Sequence, residues 1–101
     1  MAEFVFAARV DDIPAGRGKT VVLGERRIAL FNADGAFYAI DDACLHRGGP
    51  LGEGELESCL VTCPWHGWKY DVRSGEMTMN VAVRVNCYQT RVEAGNVQVC
   101  C

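Results

Sequence analysis

The chain has 101 residues, half of them apolar, and a formal net charge of −3. This length fits one small domain, and the apolar content argues against a disordered chain. No apolar stretch approaches the roughly 20 residues of a membrane span, no Lys/Arg cluster indicates nucleic-acid binding, and the first residues lack the pattern of a secretory signal. We expect a cytoplasmic, monomeric protein with one domain over residues 1–101, and neither a membrane nor a nucleic acid as partner.

Short apolar runs separated by turn residues occupy residues 21–40. Residues 21–23 and 27–31 flank Gly24-Glu25, and Asp34-Gly35 leads into 36–40. Asp-Gly between apolar runs is a strong hairpin signal. In the C-terminal part, valines alternate with polar residues on both sides of a turn at 94–96, which is typical of half-buried strands. The pattern predicts an all-β fold of short antiparallel strands, closed as a sandwich or small barrel.

The stretch from Asp41 to Arg73 departs from this pattern. It is rich in Gly, Cys, His, Pro and Trp, and five glycines fall between Gly48 and Gly67. Glycines weaken regular strands and suit tight loops that wrap a ligand. We predict that residues 41–73, approximately, form a small binding lobe inserted between the strands of the β base.

Two short motifs in this stretch contain the only two histidines of the chain. The first motif is Cys44-Leu45-His46 and the second is Cys63-Pro64-Trp65-His66, with the sixteen residues 47–62 between them. Two histidines that both lie within three residues of a cysteine are unlikely to arise by chance. The four side chains are therefore candidate metal ligands.

Three kinds of cross-link would use cysteines in such a chain. Six cysteines would suit a disulfide framework in a secreted protein, but disulfides leave the histidines unexplained. A Cys₂His₂ set suits tetrahedral zinc, although a single residue between Cys44 and His46 is a tight spacing for one ion. A [2Fe–2S] cluster fits better, because each loop can give a thiolate to one iron and an imidazole to the other.

With both motifs in place, the sequence resembles the Rieske ferredoxins of bacterial oxygenase systems. The neighbouring residues 46–51 and 63–68 match as well, and the likeness extends through the turn at 73–76. The resemblance implies a Rieske-like fold and one Rieske [2Fe–2S] cluster. It also implies that Cys44 and Cys63 bind the buried iron, and that His46 and His66 bind the outer iron, which takes the electron.

The resemblance also bears on the reduction potential. The respiratory branch of the family joins its two loops by a disulfide, but here those places hold Gly49 and Trp65. Where that branch has a serine hydroxyl beside the cluster, this chain has Trp68, so we predict a potential in the lower part of the roughly −150 to +300 mV Rieske span. Tyr70 tempers this prediction, because it stands where that branch has a tyrosine that donates to a cluster cysteine.

By the same resemblance, the chain is a free-standing electron carrier. A flavin-dependent ferredoxin reductase would be its donor and a terminal oxygenase its acceptor, and the cluster would pass one electron at a time. We expect no catalytic residues, because a mononuclear iron site needs two further histidines that this chain lacks. The alternative is a Rieske-like small subunit of a nitrite reductase or of another multi-subunit oxidoreductase.

Several residues around the motifs have expected roles of their own. Trp68 is expected in the core, Trp65 is expected to shield the cluster or line a docking face, and Leu45 and Pro64 are expected to exclude water. Cys59 and Cys87 are expected as small buried residues, while Cys100 and Cys101 receive no function. The acidic run of Glu53, Glu55 and Glu57 is interpreted as a solvated loop, with the steering of a basic partner as the alternative.

Overall fold

The computed structural model describes residues 3–45, 48–65 and 67–100. In this part of the chain there are eleven β-strands and two short 3₁₀ helices, at Val10–Asp12 and Leu51–Glu53. The strands are β1 (Phe4–Arg9), β2 (Arg17–Leu23), β3 (Arg26–Ala33), β4 (Ala36–Asp41), β5 (Glu55–Glu57), β6 (Leu60–Thr62), β7 (Lys69–Asp71), β8 (Glu76–Met77), β9 (Asn80–Arg84), β10 (Cys87–Glu93) and β11 (Asn96–Cys100). The prediction of an all-β fold is confirmed.

The strands form two antiparallel sheets. One has six strands in the order β1-β11-β10-β4-β3-β2, and its two edge strands contact each other, so the sheet curls toward a barrel. The other has five short strands in the order β5-β6-β7-β8-β9. Asp34 and Gly35 form the predicted hairpin turn between β3 and β4, and no helix in the described ranges is long and apolar enough to cross a membrane.

Strand β3 separates two hydrophobic cores. Its residues from Ile28 to Asn32 are all buried, because successive side chains point to opposite faces and both faces are covered. Ile28 and Leu30 face the first core, inside the curled six-stranded sheet. Ala29 and Phe31 face the second core, which lies against the five-stranded sheet and contains the two cysteines of the sequence motifs.

The first core should carry much of the stability of the fold. Leu30→Ala removes a fully buried side chain, so we expect the free energy of unfolding to fall by about 2–5 kcal/mol. Denaturant unfolding of the protein measures this change. The control is Val22→Ala on neighbouring β2, where the side chain is 63% exposed and the expected change stays within about 0.5 kcal/mol. Equal losses in the two variants would contradict the assignment of this core.

Candidate metal centre

Cys44 and Cys63 both lie in the second core. Cys44 follows the end of β4 and is 3% exposed, and Cys63 directly follows β6 and is 2% exposed. Because two different sheets supply these positions, the cysteines come together only in the folded chain. No disulfide joins the cysteines that the structure describes, Cys44 and Cys63 among them.

The first loop turns back on itself within five residues. The amide of Gly48 donates to the carbonyl of Cys44 at 2.7 Å, and the amide of Cys44 donates to the carbonyl of Gly49 at 2.9 Å. Gly48 has a φ of +74°, in the left-handed region that favours glycine. This loop contains His46 in its sequence, but His46 lies outside the described residues.

The second loop has the same backbone arrangement. The amide of Gly67 donates to the carbonyl of Cys63 at 3.1 Å, and the amide of Cys63 donates to the carbonyl of Trp68 at 2.7 Å. Gly67 has a φ of +77°. In both loops the fourth residue after the cysteine is a left-handed glycine, although the histidines follow at two residues in one loop and three in the other. His66, like His46, lies outside the described residues.

Glycine 49 brings the two loops into close approach. A Cβ atom at this position would lie 2.8 Å from the Sγ of Cys63 and 3.1 Å from ring atoms of Trp65, so a larger residue would displace its neighbours. The positions that the respiratory branch joins by a disulfide are thus adjacent here as well, with glycine and tryptophan in place of the cysteines. Two buried thiols at closely approaching loops fit a [2Fe–2S] cluster that takes one thiolate from each loop.

Tyr70, on β7, is fully buried beside both thiols. Its Oη lies 3.3 Å from the Sγ of Cys44 and accepts a hydrogen bond from the amide of Leu45 at 3.2 Å. Burial raises the pKa of Tyr70 well above its usual value, the contact with Cys44 adds to the rise, and the negative charge of either thiolate would add further. The hydroxyl therefore stays protonated at neutral pH and can donate to a thiolate, as the sequence predicted for this position.

The apolar side chains around the loops divide into packed and exposed residues. Trp68 is half-buried against the second core, as predicted. Trp65 and Leu45 are 57% and 54% exposed, and Pro64 is also exposed. Leu45 and Pro64 are therefore surface residues at this end of the molecule, and their role in excluding water from the cluster stays a prediction.

The remaining cysteines differ from one another. Cys59 is half-buried against the second core, whereas Cys87 is exposed, so its predicted burial is wrong. Cys87 is the first residue of β10, and its thiol donates to the carbonyl of Arg73 at 3.4 Å. Partial burial still raises the pKa of this thiol. Cys100 is half-buried at the end of β11, and Cys101 lies outside the described residues.

One residue of the site was not found from the sequence. Asp42 is 1% exposed, although it is a carboxylate, and it precedes Cys44 by two residues. Only the Asp41-Asp42 doublet just before the first motif could have drawn attention to it. The described residues contain no group of three or more metal-ligating side chains, which is consistent with both histidines lying outside them.

Comparison with known proteins gives the chain close relatives. The sequence profile of the Rieske [2Fe–2S] domain matches residues 3–89. The chain is 34% identical over 98 residues to the biphenyl dioxygenase ferredoxin subunit of Pseudomonas sp. (strain KKS102), covering 95% of this chain and 90% of that protein. It is 38% identical over 77 residues to a human Rieske domain-containing protein, covering 71% of this chain but only 48%, about half, of that protein's length.

Solved structures with a similar fold include proteins of the same kind as the sequence relatives. A chain from the complex of reduced oxygenase and oxidized ferredoxin in carbazole 1,9a-dioxygenase is similar, with a TM-score of 0.86, 26% identity, and coverage of 96% of this chain and 92% of that chain. A protein assigned as the NADH-dependent nitrite reductase small subunit from Mycobacterium tuberculosis has the same fold, with a TM-score of 0.90, 24% identity, and coverage of 100% and 96%. Together with the paired cysteine loops, these matches show that the chain belongs to the Rieske [2Fe–2S] domain family and carries a Rieske-type [2Fe–2S] cluster.

Proposed function

We propose that this chain is a one-electron carrier that accepts electrons from a flavin-dependent ferredoxin reductase and delivers them to a terminal oxygenase. The observation that carries the proposal is the exposed apolar surface beside both cysteine loops, formed by Leu45, Pro64 and Trp65. A cluster bound by these loops would lie close to a surface on which another protein can dock. The ferredoxin component of the biphenyl dioxygenase system is a relative over nearly the whole chain, which supports the same role.

The proposal assigns four ligands to the cluster. Cys44 and Cys63 would hold one iron in the second core, and His46 and His66 would hold the other iron toward the surface. The burial of both cysteines supports the first pair, and the position of each histidine within a loop that closes on its cysteine supports the second. When bound, the cluster accepts and releases a single electron, so that a two-electron flavin can be discharged in two steps.

The organisation of the chain is part of the proposal. Residues 1–101 would act as a single Rieske domain, with the cluster-binding lobe at about residues 41–73 on the β base. The domain would act as a monomer in the cytoplasm. No residue is assigned a catalytic role, because the two histidines of the chain are both assigned to the cluster.

The alternative is a Rieske-like subunit held permanently in a nitrite reductase or another multi-subunit oxidoreductase. The matching fold of the Mycobacterium tuberculosis protein supports this alternative, although at 24% identity the likeness shows the fold alone. A permanent subunit should co-purify with a large partner at a fixed ratio. A carrier should instead separate from its partners and exchange between them.

Reconstitution tests the proposed role. Catalytic amounts of the purified chain are added to a flavin-dependent ferredoxin reductase and a Rieske oxygenase, and nicotinamide oxidation and oxygenase product are followed together. We expect both rates to rise with the concentration of the chain, and an optical titration to fit a one-electron reduction. Substrate turnover by the chain alone, or a reduction that requires two electrons at once, would overturn the proposal.

Tyr70→Phe tests the assignment of Cys44 as a ligand. Removing a hydroxyl that donates to a ligand sulfur destabilises the reduced, more negative cluster, so the reduction potential should fall by on the order of 50 mV, about a tenfold change in the equilibrium constant. Tyr38→Phe is the control, since it removes a hydroxyl from a residue packed against the same core. Unchanged potential in Tyr70→Phe would contradict the assignment.

Glu55→Lys tests where the partner docks. Glu55 pairs in β5 with Thr62, the residue before Cys63, and with Glu53 it lines a surface cavity of about 400 Å³ that also borders Pro64. If these carboxylates steer a basic partner, charge reversal should slow electron delivery roughly threefold or more at low salt, with the difference shrinking as salt is added.

The control for this variant is Glu93→Lys, which makes the same charge change. The start of β10 pairs with the end of β4, from which the first cluster loop departs. Glu93 is the last residue of β10 and therefore lies at the opposite end of that strand. Delivery by the control should remain close to that of the unmodified protein. If both variants slow electron delivery equally, the net charge of the protein explains the effect, and the assignment of this surface as the docking site is wrong.

A further inference from the structure

Asp42 is a buried carboxylate with three partners from three parts of the chain. Its Oδ1 accepts hydrogen bonds from the Oγ1 of Thr20 and from the amide of Gly52, both at 2.8 Å. Its Oδ2 lies 3.4 Å from a guanidinium nitrogen of Arg27. The partners belong to β2, to the 3₁₀ helix after the first cluster loop, and to β3, so one side chain joins all three elements.

The backbone of Asp42 closes the same loop. Its carbonyl accepts a hydrogen bond from the amide of Leu51 at 2.7 Å, and an isolated bridge between Ala43 and Pro50 lies one step further into the loop. The loop that contains Cys44 therefore begins at Asp42, and the hydrogen bond from Leu51 to the carbonyl of Asp42 closes it. Gly52 packs so closely on β2 that a Cβ atom there would lie 2.6 Å from the amide nitrogen of Thr20. The base of the loop is thus held against the sheet by backbone and side chain together.

The preceding residue, Asp41, has a different role and provides a natural comparison. Its Oδ2 accepts from the amide of Asn86 at 2.9 Å, and its Oδ1 accepts from the hydroxyl of Tyr88 at 2.5 Å. These bonds join the end of β4 to Asn86 and to Tyr88 of β10, and neither partner lies in the first cluster loop. Of the two adjacent carboxylates, Asp41 therefore joins strands and Asp42 holds the loop.

We propose that Asp42 is a positioning residue for the cluster: its carboxylate fixes the first ligand loop to the β base and, together with Arg27, sets the local charge beside the buried iron. The inference rests on the proposed assignment of Cys44 as a ligand. Two residues of extended chain span at most about 7 Å, so the Cα atoms of Asp42 and Cys44 are at most about that far apart. The Asp42 side chain is 2% exposed, so its charge is little screened by salt, whereas the Arg27 side chain is 63% exposed and its charge is screened by solvent.

The charges of Asp42 and Arg27 determine the direction in which each substitution should shift the reduction potential. Asp42→Asn keeps an oxygen acceptor for Thr20 and Gly52 but removes the negative charge, so the reduction potential should rise. Arg27→Ala removes a positive charge that solvent screens, so the potential should fall by less than it rises in Asp42→Asn. The double variant removes both charges, so its potential should lie between those of the two single variants. A purely structural role would not move the two single variants in opposite directions.

The role of Asp42 in holding the first ligand loop is tested separately, by measuring how long each variant retains its cluster. Asp42→Ala removes both hydrogen bonds of Oδ1, and we expect the visible absorbance of the cluster to decay at least tenfold faster in the presence of a chelator, an effect of the size that a lost buried bond produces. Asp41→Ala is the matched control and should lose its cluster at close to the normal rate. Asp42→Asn should retain the cluster, because its side-chain oxygen can still accept the two hydrogen bonds although the charge is gone.

The outcomes separate this inference from the proposed function. An unmodified chain that lacks a one-electron couple would overturn the proposed function. With a normal couple in the unmodified chain, potentials that shift in the same direction in Asp42→Asn and Arg27→Ala would overturn the charge assignment. Equal cluster loss from Asp41→Ala and Asp42→Ala would overturn the loop-holding role, and opposite potential shifts with selective loss from Asp42→Ala would establish the inference.

Discussion

Burial of Cys44 and Cys63 in the second hydrophobic core is the constraint on which the rest of the structure depends. Both thiols are nearly inaccessible, yet each lies at the start of a loop that reaches the surface. Because the two loops come from different sheets, the packing of the sheets and the position of the ligands depend on one another. Metal binding of this kind contributes to folding as well as to chemistry, which matters most in a small fold.

The surroundings of the thiols combine an apolar core with a few placed polar groups. Tyr70 offers a protonated hydroxyl to Cys44, and the carboxylate of Asp42 with its partner Arg27 lies just beyond the same loop. The hydroxyl favours the reduced cluster, while the two charges act in opposite directions. The potential of the carrier is thus the balance of a hydrogen bond and a charge pair, which substitutions can change one at a time.

Much of the fold and of the site could be predicted from the sequence, because local patterns encode it. The Asp34-Gly35 turn and the alternating valines identify strands, and the spacing of cysteine and histidine in two loops identifies the cluster type. What escaped prediction depends on contacts between distant residues. The burial of Asp42 follows from partners such as Thr20, twenty-two positions away, and the exposed thiol of Cys87 contacts the carbonyl of Arg73, fourteen positions away.

The proposed assignment of His46 and His66 as ligands of the outer iron is open to a direct spectroscopic measurement. Low-temperature EPR of the dithionite-reduced protein, extended to nitrogen hyperfine couplings with isotopically labelled histidine, reports on the ligands of the reduced iron. We expect a red-brown protein that bleaches, a rhombic signal with a low average g, and couplings from two histidine nitrogens. A colourless zinc protein, or a [2Fe–2S] signal without histidine coupling, would contradict it.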